Sequence, residues 1–161
     1  MKGLEGKTVL VTGAAGGIGS AACRRLVDEG AKVVAADISA DAASVLAGSI
    51  GSACVGVGAD VSTAAGAAAG VEAAIATFGG LDLAFINAGV ECIAAPIAEF
   101  AEAEYDRVFD VNVRGSFLTA QAVVKHLSAE GKPGNILFTA SIAGLQGRPT
   151  TGIYNASKHA V

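Results

Sequence analysis

Three residues near the end of the chain have types that could move a proton: Ser141, Tyr154 and Lys158. Tyr154 and Lys158 are four residues apart, a spacing that puts both on one face of a helix and lets their polar ends converge. An ammonium beside a phenol favours the phenolate and draws a tyrosine pKa down from about 10. Such a tyrosine can take a proton from an alcohol as hydride leaves, or give one to a carbonyl as hydride arrives. Ser141 stands at the exit of an apolar run, where a hydroxyl could hydrogen-bond the reacting oxygen. A Tyr–Lys pair at this spacing is also an ordinary pair on a helix surface, so it does not identify a site alone.

A second constellation lies at the other end. Thr12-Gly13-Ala14-Ala15-Gly16-Gly17-Ile18-Gly19 follows an apolar run and opens a helical segment. A dinucleotide pyrophosphate needs a tight turn, a backbone it can approach closely and N–H groups at a helix N-terminus. Gly13, Gly17 and Gly19 could supply them, and a purely structural turn is the plainer alternative. The spacing differs from GxGxxG, and no Lys-Ser/Thr follows to make a Walker loop. Asp37 comes 18 residues after Gly19, near the distance expected of an acid that holds the adenosine ribose. A carboxylate there accepts from ribose hydroxyls and repels a 2′-phosphate, and neither the loop nor Ile38-Ser39-Ala40 carries Lys or Arg. Loop and acid together favour NAD over NADP. The competing role for Asp37 is a helix N-cap.

The elements that must position these residues follow from hydrophobic pattern. Nearly all-apolar runs at 8–11, 32–36, 53–57, 81–86 and 135–139 read as strands covered on both faces. Helical segments fall between them at Gly17–Asp28, Ala40–Leu46, Ala64–Phe78 and about Glu102–Ala129. Strand–helix alternation of this kind predicts an α/β fold, a doubly wound parallel sheet with Rossmann-type topology. No internal repeat or domain boundary is visible, so residues 1–161 are expected to form a single dinucleotide-binding and catalytic domain. In the long helix, Tyr105, Val108, Phe109, Asn112, Ser116, Ala120, Val123 and Leu127 recur at helical spacing, forming one apolar stripe. Asn112 sits in its middle. An unsatisfied buried amide costs about 1–3 kcal/mol, so Asn112 needs a specific partner, in a structural network or in a site.

Composition excludes several classes of function. The net charge is −4 and 52% of the 161 residues are apolar, which argues against disorder and against a nucleic-acid binder. Mean hydropathy is high at +0.55, but it comes from dispersed Ala and Val. The most apolar stretch, 64–78, is interrupted by Gly66, Gly70 and Glu72 and is too short to span a bilayer, so no membrane role is expected. Residues 1–7 lack the apolar core of a secretory signal. Cys23, Cys54 and Cys92 are odd in number and widely spaced, as reduced thiols in a cytoplasmic protein are. His126 and His159 have no ligand-like neighbours in sequence, so no metal site is expected. The 22 glycines, far above the usual share, must serve backbone geometry inside a folded domain.

Taken in order, Thr12-Gly13-x-x-x-Gly17-Ile18-Gly19, Asp60-Val61, Asn87-Ala88-Gly89, Asn112, Ser141 and Tyr154-Asn155-Ala156-Ser157-Lys158 resemble the classical short-chain dehydrogenase/reductases. The resemblance covers essentially the whole chain, and the Ser–Tyr separation of thirteen fits it. It implies Tyr154 as catalytic acid/base, Lys158 as its tuner and a ligand of the nicotinamide ribose, and Ser141 as anchor of the substrate oxygen. Asn112 would hold a water linking Lys158 to a proton relay. Asp60 would contact adenine through its side chain and Val61 through its backbone, while Asn87, Ala88 and Gly89 would line the cofactor's centre and steady the fourth strand. The implied reaction is hydride transfer between NAD and a small-molecule secondary alcohol or ketone. Alternatives are an NADP-dependent 3-oxoacyl reductase, disfavoured by Asp37, and a catalytically inactive nucleotide-binding fragment.

Relative to that family, the chain stops three residues after Lys158, truncated just past the Tyr-x-x-x-Lys motif. The expectation is a part of a longer enzyme, without its C-terminal strands and helices, and a natural truncation is the alternative. The full-length form is then expected to be a homodimer or homotetramer. Residues 1–161 alone would bind dinucleotide weakly and turn over nothing, with the fifth strand an open edge.

Overall fold

The apolar runs pair into one parallel sheet in the computed structural model, which describes residues 3–161. Met1 and Lys2, the start of the N-terminal segment read above, lie outside the described residues. The strands are β1 (Thr8–Thr12), β2 (Lys32–Asp37), β3 (Cys54–Gly58), β4 (Leu83–Ile86) and β5 (Asn135–Phe138), in the order β3-β2-β1-β4-β5. Helices α1 (Gly17–Asp28), α2 (Ala40–Ile50) and α3 (Ala64–Phe78) connect the first four strands in turn. Between β4 and β5 run α4 (Glu102–Phe109), a π-helical turn (Asp110–Gly115) and α5 (Ser116–Ala129), and α6 (Gly152–Ala160) follows β5.

Side-chain alternation explains why β1 and β2 are apolar between their end residues. Leu10 of β1 and Val34 of β2 face a layer with Val71 and Ala74 of α3 and Val123 and Leu127 of α5. Val9, Val11 and Val33 face the opposite layer, with Cys23 of α1 and Leu46 and Ala47 of α2. A strand with a core on each face can spare no polar position. Truncating Leu10, which is 1% exposed, to alanine would cost about 2–5 kcal/mol. Burial pushes the Cys23 thiol up to about 12, helped by Cys54, and the Cys54 thiol up to about 11, so both stay un-ionised in the core.

The architecture is the Rossmann-like one expected, except that α2 runs past the expected Leu46 to Ile50 and three further local corrections apply. The long helix is not a uniform α-helix, because residues 110–115 form the π turn. A wider turn rotates the segment before it relative to the segment after it, so one straight stripe cannot face inward from 105 to 127. Tyr105 is accordingly exposed, its ring stacked on Phe109 with centroids 4.3 Å apart, whereas Thr119, outside the expected stripe, is fully buried. Secondly, β5 is not covered on both faces: it pairs with β4 at the sheet edge, and Leu137 is 64% exposed. Thirdly, residues 81–82 precede β4 rather than belong to it, and the Leu81 amide donates to His126 Nε2. No helix among the described residues is long and apolar enough to cross a membrane.

The strand order reverses between β1 and β4, which leaves a crevice beyond their C-terminal ends. The loops that leave β1, β2, β3 and β4 there carry most of the residues singled out in the sequence.

Candidate active site

The glycine loop leaves β1 at Thr12 and turns at Gly13, whose φ is +61° and whose missing Cβ would lie 2.9 Å from Ala88 Cα. Only glycine fits there. The N-termini of α2 and α3 are closed by Ser39, accepting from the Ala42 amide, and Thr63, accepting from the Gly66 amide. That of α1 has Gly16 at the cap, no side-chain acceptor and no acidic residue in its first turn. It opens on a cavity of about 720 Å³ walled by Gly13, Gly17 and Ile18. A Cβ built on Gly17 meets nothing within 4 Å, so this glycine leaves a cradle a methyl group would fill. Gly19 matters for packing instead. It is buried behind the loop, and a Cβ there would collide with the Gly13 carbonyl and Ala14 Cα.

Asp37 ends β2 on the same wall. Its Oδ2 accepts from the Ala15 amide at 2.9 Å and its Oδ1 from the Ser39 amide at 3.1 Å, which fixes the carboxylate against the glycine loop. The cap of α2 is Ser39, so Asp37 does not serve as an N-cap. Asp60 and Val61 line the cavity beyond β3, and Asp60 Oδ1 accepts from the Ser62 amide at 3.0 Å and hydroxyl at 2.6 Å.

Across the crevice, Asn87, Ala88 and Gly89 leave β4. Thr12 Oγ1 accepts from the amides of Asn87 (3.0 Å) and Ala88 (3.1 Å). The Asn87 Nδ2 donates to the carbonyls of Thr12 (3.2 Å) and Gly13 (3.3 Å), and its Oδ1 accepts from Thr139 Oγ1 at 2.9 Å. Lys158 Nζ then donates to the Thr139 carbonyl at 2.8 Å. A continuous polar chain thus runs from the glycine loop to Lys158. Thr12 and Thr139 are not among the site residues expected from sequence. The available signal is a threonine closing an apolar strand run just before a loop.

Tyr154 and Lys158 share one face of α6 and both line the cavity, with Nζ 5.9 Å from the centre of the Tyr154 ring. Lys158 is 6% exposed, and burial holds its ammonium below the ordinary lysine pKa. Ser157, fully buried, donates to the Tyr154 carbonyl at 2.8 Å and accepts from Asn112 Nδ2 at 3.0 Å. Asn112 also exchanges two bonds with the Val90 backbone, accepting at 2.8 Å and donating at 2.9 Å, so its amide has the specific partners its burial demands. Asn112 and Lys158 meet at Gly89, where a built Cβ would lie 3.3 Å from Asn112 Oδ1 and 3.4 Å from Lys158 Nζ. Ser141 stands apart from the cavity wall and accepts from the Ala143 amide at 3.1 Å. Among the described residues no group of three or more His, Cys, Asp or Glu side chains could hold a metal ion.

This fold and this crevice are those of a known family. The family model for short chain dehydrogenase matches residues 7–161, and the chain belongs to that family of oxidoreductases. It is 40% identical to sorbitol dehydrogenase of Cereibacter sphaeroides over 158 residues, 98% of this chain and 61% of that protein. The short chain dehydrogenase/reductase from Burkholderia phymatum in complex with NAD superposes with a TM-score of 0.93 at 35% identity, covering 99% of this chain and 58% of that one. The 3-ketoacyl-(acyl-carrier-protein) reductase from Brucella melitensis complexed with NADH gives 0.91 at 38% identity, covering 97% and 66%. The chain spans 60–65% of the length of the curated relatives it matches.

Proposed function

We propose that the whole protein interconverts a secondary alcohol and a ketone with NAD, and that residues 1–161 supply its dinucleotide-binding and catalytic side chains from one domain. The observation that carries the reading is a single cavity whose wall runs from Asp37 through the glycine loop to Tyr154 and Lys158. The uncapped α1 N-terminus and the cradle at Gly17 fit a pyrophosphate, and the fixed Asp37 carboxylate fits ribose hydroxyls while opposing a 2′-phosphate. Related structures that hold NAD or NADH support the same assignment. When bound, the nicotinamide supplies the hydride acceptor or donor.

The chain's own residues handle the proton. Tyr154 Oη takes it from the alcohol in oxidation and returns it to the carbonyl oxygen in reduction. Lys158 directs one Nζ hydrogen to the Thr139 carbonyl, which aims the ammonium and leaves others for the nicotinamide ribose. Ser141 Oγ, apart from the cavity wall, accepts from Ala143 and keeps its own hydrogen; its assignment to the reacting oxygen rests on the family resemblance. Both Nδ2 hydrogens of Asn112 are engaged, whereas Oδ1 keeps a lone pair close to Lys158 for a relay water.

The substrate class we favour is a small polyol or cyclic alcohol, because proteins named sorbitol, galactitol and 2,5-dichloro-2,5-cyclohexadiene-1,4-diol dehydrogenases are among the relatives. Likeness to the Brucella reductase favours a 3-oxoacyl substrate as a second reading. Turnover of sorbitol, galactitol, a cyclohexanediol and a 3-oxoacyl thioester by the full-length form, each with NAD and NADP, tests both readings. Oxidation of a diol with NAD is expected. Preference for NADP would overturn the role of Asp37, and turnover of the thioester alone would select the second reading.

A further inference from the structure

The segment that follows Gly89 has little structure of its own, yet Val90 and Glu91 line the same cavity as Tyr154 and Lys158, and a Cβ built on the preceding Gly89 would lie 3.4 Å from Lys158 Nζ. It is held from outside. Besides the paired bonds of Asn112 to Val90, two charged residues of α4 grip the next turn of chain. Arg107 Nη2 donates to the Glu91 carbonyl at 2.6 Å, and Glu104 Oε1 accepts from the Ile93 amide at 2.7 Å. The two are locked to each other by a forked pair, Nε to Oε2 at 3.0 Å and Nη2 to Oε1 at 2.9 Å. Only guanidinium and carboxylate make this planar two-bond contact, which fixes both side chains at once. The Arg107 hydrogen bonds hold Glu104 below the usual carboxylate range, and the Ile93 amide adds to this.

We propose that Glu104 and Arg107 are positioning residues: as one clamp they set the Val90–Ile93 segment where the nicotinamide end of the cofactor binds. Their hydrogen bonds go to each other and to this segment rather than to the glycine loop or Asp37, so the adenosine end does not depend on them. The inference rests on the dinucleotide reading of the cavity. It assigns to an α4 surface pair a role that its charge and exposure alone would not suggest, since isolated exposed pairs contribute little.

The test compares two probes, ADP for the adenosine end and NADH for the whole cavity, by calorimetric and fluorescence titration. Arg107→Ala should weaken NADH by about tenfold, the order of one charge-assisted hydrogen bond, and leave ADP unchanged. Arg107→Lys, which keeps charge without the fork, should restore only part of the loss. Glu104→Gln, which keeps an acceptor for Ile93, should be milder than Glu104→Ala. The double alanine variant should be no worse than either single, because the pair acts as a unit. Amide exchange should quicken at Ile93 with the thermal midpoint near that of the wild type. Equal weakening of ADP and NADH would show a general structural role and overturn the proposal, as would indifference of both probes to every variant. Failure of the wild type to bind either probe would overturn the dinucleotide reading and the clamp with it. Wild-type binding with indifferent variants would overturn the clamp alone.

Discussion

Replacing Gly17 by alanine separates a binding glycine from a folding glycine. Gly17 is the first residue of α1 and lines the cavity, and a Cβ built on it meets nothing within 4 Å. A methyl group there meets no protein atom, and alanine is favoured over glycine in a helix by up to about 1 kcal/mol. The fold should therefore be unharmed or slightly stabilised. Binding is another matter, because the methyl occupies the cradle through which a pyrophosphate approaches the first-turn amides. Losing one charge-assisted hydrogen bond costs about 1.5–3 kcal/mol, or about ten- to a hundredfold in Kd. Gly19→Ala is the counterpart. Its methyl would meet the Gly13 carbonyl and Ala14 Cα, backbone that cannot swing aside, so it should lose about 1–3 kcal/mol of stability. Thermal unfolding and NADH fluorescence titration on both variants provide the measurement. If Gly17→Ala binds NADH as the wild type does, the pyrophosphate does not sit on α1 and the reading of the loop is wrong.

Thr12→Val should destabilise the protein by about 2–4 kcal/mol, because it strands the amides of Asn87 and Ala88 that donate to one hydroxyl. Urea unfolding with an unchanged slope reads the loss, and an unshifted midpoint would contradict it. Tyr154→Phe in the full-length form keeps the ring and removes the oxygen, so turnover should fall by about 10²–10⁴-fold with NADH affinity nearly intact; retained activity would place the proton elsewhere. Burial lowers the Lys158 pKa, so the folded protein binds that proton more weakly than the unfolded chain, whose value is near 10.5. The resulting stability is fully present above 10.5 and is lost as the pH falls through the lowered folded value. The wild type should gain in unfolding midpoint over Lys158→Met as the pH rises toward 10.5, and a constant difference would refute the assignment.

The bounds of α1 and α3 match the expectation from hydrophobic pattern residue for residue, and the strands differ by a few terminal positions. Those elements are legible because period and local caps carry them. The π turn is not, since what accompanies it is a set of bonds from Asn112 to Val90, 22 residues earlier, and to Ser157, 45 residues later. For the same reason the helical period assigns Tyr105 to a stripe that the folded chain takes it out of. Thr12 and Thr139 are illegible because their partners come from neighbouring strands 75 and 52 residues away in sequence. The Glu104–Arg107 clamp is invisible because an i,i+3 charge pair on a helix looks like any solvated face.

Asn87 shows why residue type matters at the centre of this arrangement. It stands between β1, β4 and β5, facing two carbonyls from one strand end and a hydroxyl from another. Two donors and one acceptor are required within a single short side chain, and only an amide supplies them. A carboxylate would set charge against the Thr12 and Gly13 carbonyls, and an aliphatic residue would leave all three partners unmet at about 1–3 kcal/mol each. The same amide couples the glycine loop to Thr139, whose carbonyl aims Lys158. The glycine-loop end and the Tyr154–Lys158 end of the cavity are therefore not independent: what fixes the turn at Gly13 also fixes the position of the ammonium beside Tyr154.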